Sequence, residues 1–272
     1  MELRRLRERT LKTGDEVADE LGWSTSKVSR IENARLGIST KDLKALLDVL
    51  NVDEEHQSDL LDIGRETRKK GWWDGYADSI LTEYANYISL EAAAASLRCY
   101  DALLINGLLQ TADYAREAIR AALMEFAPPS EVDRRVEVRQ TRQQRLTNEE
   151  PMRFWTVLDE SALRRNVGGP AVLCEQYEHL LNLGSLHNVT IQVLPTERGA
   201  HPATAGTFAL MEFTQHHGSD VVYIETMTSS LYVEDERSVY RYGVAFKQLL
   251  SQALSPEESA GFIARLRDET RS

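Results

Sequence analysis

The chain has 272 residues, 42% of them hydrophobic and 28% charged, with a formal net charge of −11. That length accommodates two domains and a sizeable core, whereas two widely spaced cysteines, Cys99 and Cys174, define neither a disulfide scaffold nor a zinc site. No apolar run is long enough to span a bilayer and no signal peptide is recognisable, so a cytoplasmic protein without a membrane partner is expected.

The charge is unevenly spread. Residues 1–51 carry 10 Lys/Arg against 9 Asp/Glu, a balance of +1, and the remaining residues carry 22 against 34, a balance of −12. Only the N-terminal part therefore suits a polyanionic partner, and its footprint is weak, which points to dimerisation as the source of affinity.

Leu3 and Leu6 are spaced for an amphipathic first helix, with Leu11 following it. Gly14 to Asn33 then fits the spacing of a helix-turn-helix, with apolar Val17, Ala18, Leu21, Trp23, Val28 and Ile31. Thr13 and Glu16 form a capping box for the first helix of the pair. Gly22 stands where the chain must reverse, and Ala18 where the helices cross closely. Ser24 is a suitable N-cap for the second helix. The exposed positions of that helix are Thr25, Ser26, Lys27, Ser29 and Arg30; all can bond to DNA and none is acidic. Lys27, Arg30, Arg35, Lys41 and Lys44 gather over it, while Asp15, Glu16, Asp19 and Glu20 load the preceding helix. Ser39 and Asp42 form another capping box before Leu43, Leu46, Leu47 and Leu50, and Asp53 to Arg68 reads as a fifth helix through Leu60, Leu61 and Ile63.

The basic run Arg65 to Lys70 and the pair Trp72 and Trp73 mark a domain junction that the tryptophans lock. Residues 76–148 read mostly as helix. Ala94 to Leu109 is the exception, one or two extended segments ending before Thr111, a cap for a helix from Ala112 to Phe126 with Ala115, Ala118, Ile119, Ala122, Leu123 and Phe126 inward. Pro128 and Pro129 end that helix. Ser130 and Asp133 box another, running to Leu146, whose Arg134, Arg135, Arg139, Arg142 and Arg145 read as a solvated face partly balanced by Glu131, Asp133 and Glu137. From residue 151 the pattern turns to strands: Phe154 to Leu158, Val189 to Leu194, Thr207 to Phe213, Val221 to Met227 and Leu231 to Val233. A helix from Pro170 to Leu183 separates the first two, and closing helices follow at 236–252 and 256–270, the last signalled by Ser255, Pro256 and Glu258.

The stretch LRRLRER…VADELGWSTSKVSRIENARLG…STKDLKALLDVL resembles the xenobiotic-response-element, Cro-like (XRE) family of repressors. The resemblance implies that Ser24 caps the recognition helix, that the residues after it read bases, and that Glu32 pairs with Arg4 or Arg7. The family often has a phosphate-clamping Gln where Gly14 stands. The segments ISLEAAAASLRCYDALLINGLLQTADYAR, WTVLDESALRRNVGG, NVTIQVLP, GAHPATAGTF, VVYIET and LYVED resemble the domain that follows the repressor module in antitoxin-like (Scr-type) actinobacterial regulators. That resemblance implies a protein partner, a small acidic protein encoded nearby.

No catalytic constellation is recognisable. His216 and His217 are adjacent and point to opposite faces of a strand, Cys174 and His179 are poorly spaced for one helix face, and Gly168-Gly169-Pro170 is a turn into a helix. Asp159, Glu160, Glu225, Glu234 and Asp235 lie near strand ends and would have to converge to hold a metal; none is expected. Trp155, His201, Tyr223, Glu225 and Tyr232 are the candidates for a ligand or partner pocket.

The expectation is an α+β protein. An all-α five-helix repressor-like domain, residues 1–70, precedes a regulatory and dimerisation domain, 71–272. The latter is mostly helical over 71–148, and 149–272 forms a small mixed sheet flanked by helices. The function expected is a homodimeric, operator-binding transcriptional regulator, without cofactor, touching double-stranded DNA through Thr13, Ser24, Thr25, Ser26, Lys27, Ser29, Arg30, Asn33 and Arg35. The alternatives are an autoregulating toxin-like enzyme, such as a metal-dependent nuclease, and an interaction scaffold that no longer binds DNA.

Overall fold

The computed structural model describes residues 2–32, 36–54, 56–58, 60–61, 72, 82–124, 126–214 and 220–271. The chain divides into two compact units, Met1–Gly71 and Trp72–Ser272.

The first unit is all helical: α1 (Glu2–Arg9), α2 (Gly14–Leu21), α3 (Thr25–Glu32) and α4 (Thr40–Val49), followed by helical residues at 54, 56–58 and 60–61. Leu6, Val17, Ala18, Val28, Leu43, Leu46, Leu47 and Leu50 form its buried core, with Leu60 and Leu61 packed against it. Leu11 does not join them: it stands at φ 58° and is 91% exposed, because the chain turns sharply there between α1 and α2. Asp53 accepts from the His56 N–H at 2.9 Å, capping the fifth helical stretch; the remainder of the expected helix, with Ile63 and the basic run at 65–70, lies outside the described residues. So does Trp73, and Trp72 is half-exposed.

The second unit is α+β. Six strands, β1 (Ser96–Asp101), β2 (Arg153–Asp159), β3 (Val189–Leu194), β4 (Phe208–Glu212), β5 (Val221–Glu225) and β6 (Ser230–Val233), lie in the order β3-β2-β1-β4-β5-β6. β1, β2 and β3 are parallel, and β4, β5 and β6 continue antiparallel. Period-2 alternation sends Leu97, Cys99, Phe154, Leu158, Val193, Met211 and Tyr223 into one core and Tyr100, Val157, Leu210 and Val222 into another on the opposite face. The helix Glu236–Gln252 covers the second face with Phe246 and Leu249. The helices Thr82–Ala93, Gly169–Leu183 and Pro256–Arg271 contribute Ile88, Tyr177, Leu180, Ile263 and Leu266 to the first.

Five of the six strands, β2 to β6, and the two closing helices fall where the sequence pattern puts them, within about two residues. The segment 94–109 holds one extended segment, β1, then a single 3-10 turn at Gly107–Leu109, because Asn106 accepts from the Leu108 N–H and closes the chain on itself. Two local expectations are corrected. The helix capped by Thr111 stops at Ala122, with Phe126 86% exposed, since Met124 takes φ 50° and turns the chain out. The next helix, Pro129–Gln143, begins at its proline with no side-chain cap, so Ser130 and Asp133 form no box; it ends in a 3-10 turn through Leu146.

Candidate nucleic-acid interface and ligand cavity

The geometry of the first unit follows from four local devices. Thr13 Oγ1 accepts from the Glu16 N–H at 3.2 Å and Glu16 accepts in return from the Thr13 N–H at 2.7 Å, which starts α2. Gly22 ends it at φ 64°, a left-handed cap that glycine adopts without strain. Ser24 Oγ accepts from the Lys27 N–H at 3.2 Å and starts α3. Ser39 Oγ accepts from the Asp42 N–H at 2.9 Å before α4, but the expected reciprocal half is missing, because the Asp42 carboxylate turns to Lys27 Nζ at 3.1 Å. A fifth device is long-range. Arg7 donates from Nε and Nη2 to both oxygens of Glu32, at 2.6 and 2.9 Å, tying the end of α3 to α1. Of the two arginines open to Glu32, Arg4 pairs instead with Glu8.

On α3, Thr25, Ser26, Ser29 and Arg30 are exposed, while Val28, Ile31 and Glu32 are buried. Arg30 has no ion-pair partner among the described residues. Thr25 Oγ1 donates to Asp15 at 2.7 Å. Lys27 is less free than its position implies: besides Asp42, its ammonium sits 3.8 Å from the centre of the Trp23 ring. Thr13 is exposed beside α2, although its side chain serves the capping box. Lys41 and Lys44 are exposed on α4, and Asn33 and Arg35 lie outside the described residues.

In the second unit the five pocket candidates do not converge. Trp155 packs edge-on to Phe246, and its Nε1 donates to Gln192 at 3.0 Å. His201 lies 3.2 Å from the Tyr100 hydroxyl, on the same sheet face. Tyr223, Tyr232 and Glu225 belong to the other face, where the Tyr223 ring lies tilted between Tyr87, with ring centres 4.4 Å apart, and Tyr232 at 5.2 Å. The five carboxylates considered for a metal are also apart. Asp159 caps a helix through the Ser161 N–H and accepts from Tyr100, Glu160 is held by Arg164 and the Thr196 N–H, and Asp235 caps the helix at 236. Glu225 lies across the sheet from Asp159. Among the described residues no three His, Cys, Asp or Glu side chains sit close enough to share a metal ion. His216 and His217 lie outside the described residues.

Tyr223 and Glu225 line a cavity of about 330 Å³ at the carboxyl end of β1, with residues no motif singles out. Asp101, Asn106, Gln110, Arg139 and Arg142 supply its polar wall. This is the edge where parallel β1 meets antiparallel β4, and ligands of open sheets favour the carboxyl ends of strands. Asp101 is buried, and burial lifts its carboxyl to about 7 despite hydrogen bonds from Thr156 and Asn106 that pull the other way. The arginine-rich helix is only in part the solvated face its composition implies: Arg134 is exposed and Arg135 pairs with Glu131, but Arg142 is buried against Glu91, Arg139 donates to Gln110 at 2.6 Å and Arg145 to the Ala94 carbonyl at 3.1 Å. A larger cavity of about 690 Å³ opens on the other face, between Phe208, Ile224, Val233 and Tyr242.

No helix among the described residues is long and apolar enough to cross a membrane. No characterised protein and no solved structure matches the chain. Two family models do. Residues 1–60 match a helix-turn-helix domain, which makes the chain a DNA-binding regulator. Residues 84–265 match a domain of unknown function, DUF5753, spanning the whole sheet and most of its helices. The chain thus belongs to the DUF5753 family, with a helix-turn-helix DNA-binding domain ahead of the family domain.

Proposed function

We propose that the protein is a dimeric transcriptional regulator that reads an operator with α3 and takes input through its C-terminal unit. The observation that carries the reading is the exposed face of α3: Thr25, Ser26, Ser29 and Arg30 are donors or acceptors, none is acidic, and the helix is fixed at both ends by Ser24 and by the Arg7–Glu32 pair. A rigid helix with a polar face suits the major groove, with Arg30 reading a guanine edge and Thr13, Lys27, Asn33 and Arg35 near the backbone. The +1 balance of residues 1–51 supports a dimer on two half-sites about 34 Å apart, or a multiple of that.

The C-terminal unit regulates and does not catalyse. Its polar cavity and its larger apolar cavity support the binding of a ligand and of a protein partner, the latter a small acidic protein encoded nearby. A nuclease built on Asp159 and Glu225 would need two carboxylates that the sheet separates. The test is genome-wide mapping of the DNA bound by the full chain, with co-purified proteins identified in the same pull-down and sedimentation of the chain on the recovered operator. A two-fold site occupied by two chains is expected. Scattered binding without a motif would leave only an interaction scaffold, and metal-dependent cleavage of the DNA would establish the enzyme instead.

A further inference from the structure

The 330 Å³ cavity holds an acid, Asp101, and a guanidinium, Arg139, that do not meet. Asp101, the last residue of β1, is 5% exposed. Its carboxylate accepts from Asn106 Nδ2 at 3.1 Å and from Thr156 Oγ1 at 2.7 Å, both neutral donors. Arg139 donates from Nη1 to the neutral Gln110 amide at 2.6 Å, and its Nε is buried without a hydrogen-bond partner. Among the described residues neither charge has an ion-pair partner. Asp101 is buried and Arg139 half-buried, and charges withdrawn from water are ordinarily paired, because an isolated one costs far more than a satisfied one. Arg142, in the same wall, obeys that rule through Glu91.

The separation is built in. Asn106, which holds Asp101, is itself held because its Oδ1 accepts from the Leu108 N–H at 3.0 Å. Gln110, which holds Arg139, donates to the Ile105 carbonyl at 2.6 Å. Gln143 donates to the Gly107 and Gln110 carbonyls and fixes the same loop from the neighbouring helix. The loop 105–110 therefore keeps the carboxylate and the guanidinium as two fixed poles. Tyr87 and Tyr223 supply an aromatic wall beside them, and Leu103 and Leu104 form an apolar lip.

We infer that this cavity binds a small zwitterion of amino-acid size, its ammonium at Asp101, its carboxylate at Arg139 and its side chain against Tyr87 and Tyr223. Two fixed opposite poles are matched by one molecule carrying both opposite charges, and each contact becomes a charge-assisted hydrogen bond. The volume lies at the low end for ligand pockets, which excludes larger cofactors. The inference gives a chemical class to the input proposed above, and it rests on that reading only for an effect on DNA.

The experiment uses the full chain. Each of the twenty standard amino acids is titrated by calorimetry, and any that binds is compared with its decarboxylated amine and its N-acetyl derivative. At least one amino acid is expected to bind, with affinity falling about tenfold or more in both derivatives. Asp101→Asn and Arg139→Gln should each lose binding while melting cooperatively; having two variants covers the failure of either to fold. No binding by any amino acid at millimolar concentration, equal binding by the derivatives, or undiminished binding by both folded variants would overturn the inference. Operator titration with and without the bound amino acid separates the two readings: binding with unchanged DNA affinity keeps the site and removes its regulatory role.

Discussion

Glu91 and Arg142, 51 residues apart in sequence, meet as a bidentate ion pair inside the C-terminal unit, with Arg142 Nε and Nη2 donating at 2.8 and 2.6 Å. Their side chains are 1% and 6% exposed. The guanidinium also donates to the Tyr84 hydroxyl and stands 5.0 Å from the Tyr87 ring centre. Burial works against its charge, yet the facing Glu91 carboxylate prevails and holds its pKa above the ordinary arginine value. The pair bolts the helix Thr82–Ala93 to the helix Pro129–Gln143 at the wall of the 330 Å³ cavity.

Removing either partner alone strands a buried charge, so Glu91→Leu and Arg142→Met should each cost about 3–5 kcal/mol. The double variant, with an apolar pair of similar bulk, should recover much of that loss. Urea unfolding of all four proteins measures it; additive losses in the double variant would show that the pairing contributes nothing of its own.

Asp42 restrains Lys27 at 3.1 Å, so if the lysine contacts DNA as proposed it exchanges a carboxylate for a phosphate. Asp42→Asn should tighten binding to all sequences alike and steepen the salt dependence by about one phosphate contact. Ser39 bonds the backbone N–H of residue 42, so the helix cap survives the change. Titrations at several salt concentrations read the effect, and an unchanged slope would mean that Lys27 does not reach the backbone.

Arg30→Ala should act differently. It should weaken the operator by about 1–3 kcal/mol and relax one base position, with little loss on random DNA. Competition between operator and random duplex distinguishes this from a general electrostatic loss.

Gly22 has open space around it, so Gly22→Ala meets no clash, only the strain of φ 64°. The helix-turn-helix should lose about 1 kcal/mol. Gly14, at the start of α2 with equally open space and an ordinary φ, should be neutral or stabilised on the same change. Thermal melts of the two variants should therefore shift in opposite directions, or at least differ.

Asp101 gives a pH dependence of known sign. Its folded pKa, about 7, stands above the ordinary Asp value of 3.8. Its contribution to stability is therefore fully present below about pH 3.8 and is lost as pH rises through 7, with an upper limit on the order of 4 kcal/mol. The charged or titratable side chains sharing the cavity are Arg139, Arg142, Tyr84, Tyr87, Cys99, Tyr223 and Glu225. Asp101→Asn should abolish that part of the decline, so the variant gains on the wild type between pH 4 and pH 7. A constant difference across that range would show that Asp101 is ionised in both states.

What was legible in the sequence is what is encoded locally. Thr13 with Glu16, Gly22, Ser24, Thr111, and Ser255 with Glu258 each act within a turn of themselves, and each cap forms. The strands were legible because alternation survives in β2 to β6. The cavity was not, because its wall is drawn from residues 84 to 225 with no spacing rule to join them. Arg142 was misread for a related reason: an arginine among arginines looks solvated until Glu91 is folded against it. Trp155 and His201 share chemistry with Tyr223, but alternation places Trp155 on the opposite face, and the loop between β3 and β4 brings His201 to Tyr100 on that same side.

β1 sits in the middle of the sheet while coming first in the chain. Its register partners are residues 153–158 on one side and 208–212 on the other, so both its edges stay open until those segments have been synthesised. The helix-turn-helix, by contrast, has its buried core within the first 50 residues and its packing partners no farther than Leu61. During translation the helix-turn-helix unit can therefore be complete while the second unit is still an unpaired strand. A ribosome that stalls between residues 100 and 208 would leave the helix-turn-helix folded beside a strand whose two edges are not yet both covered.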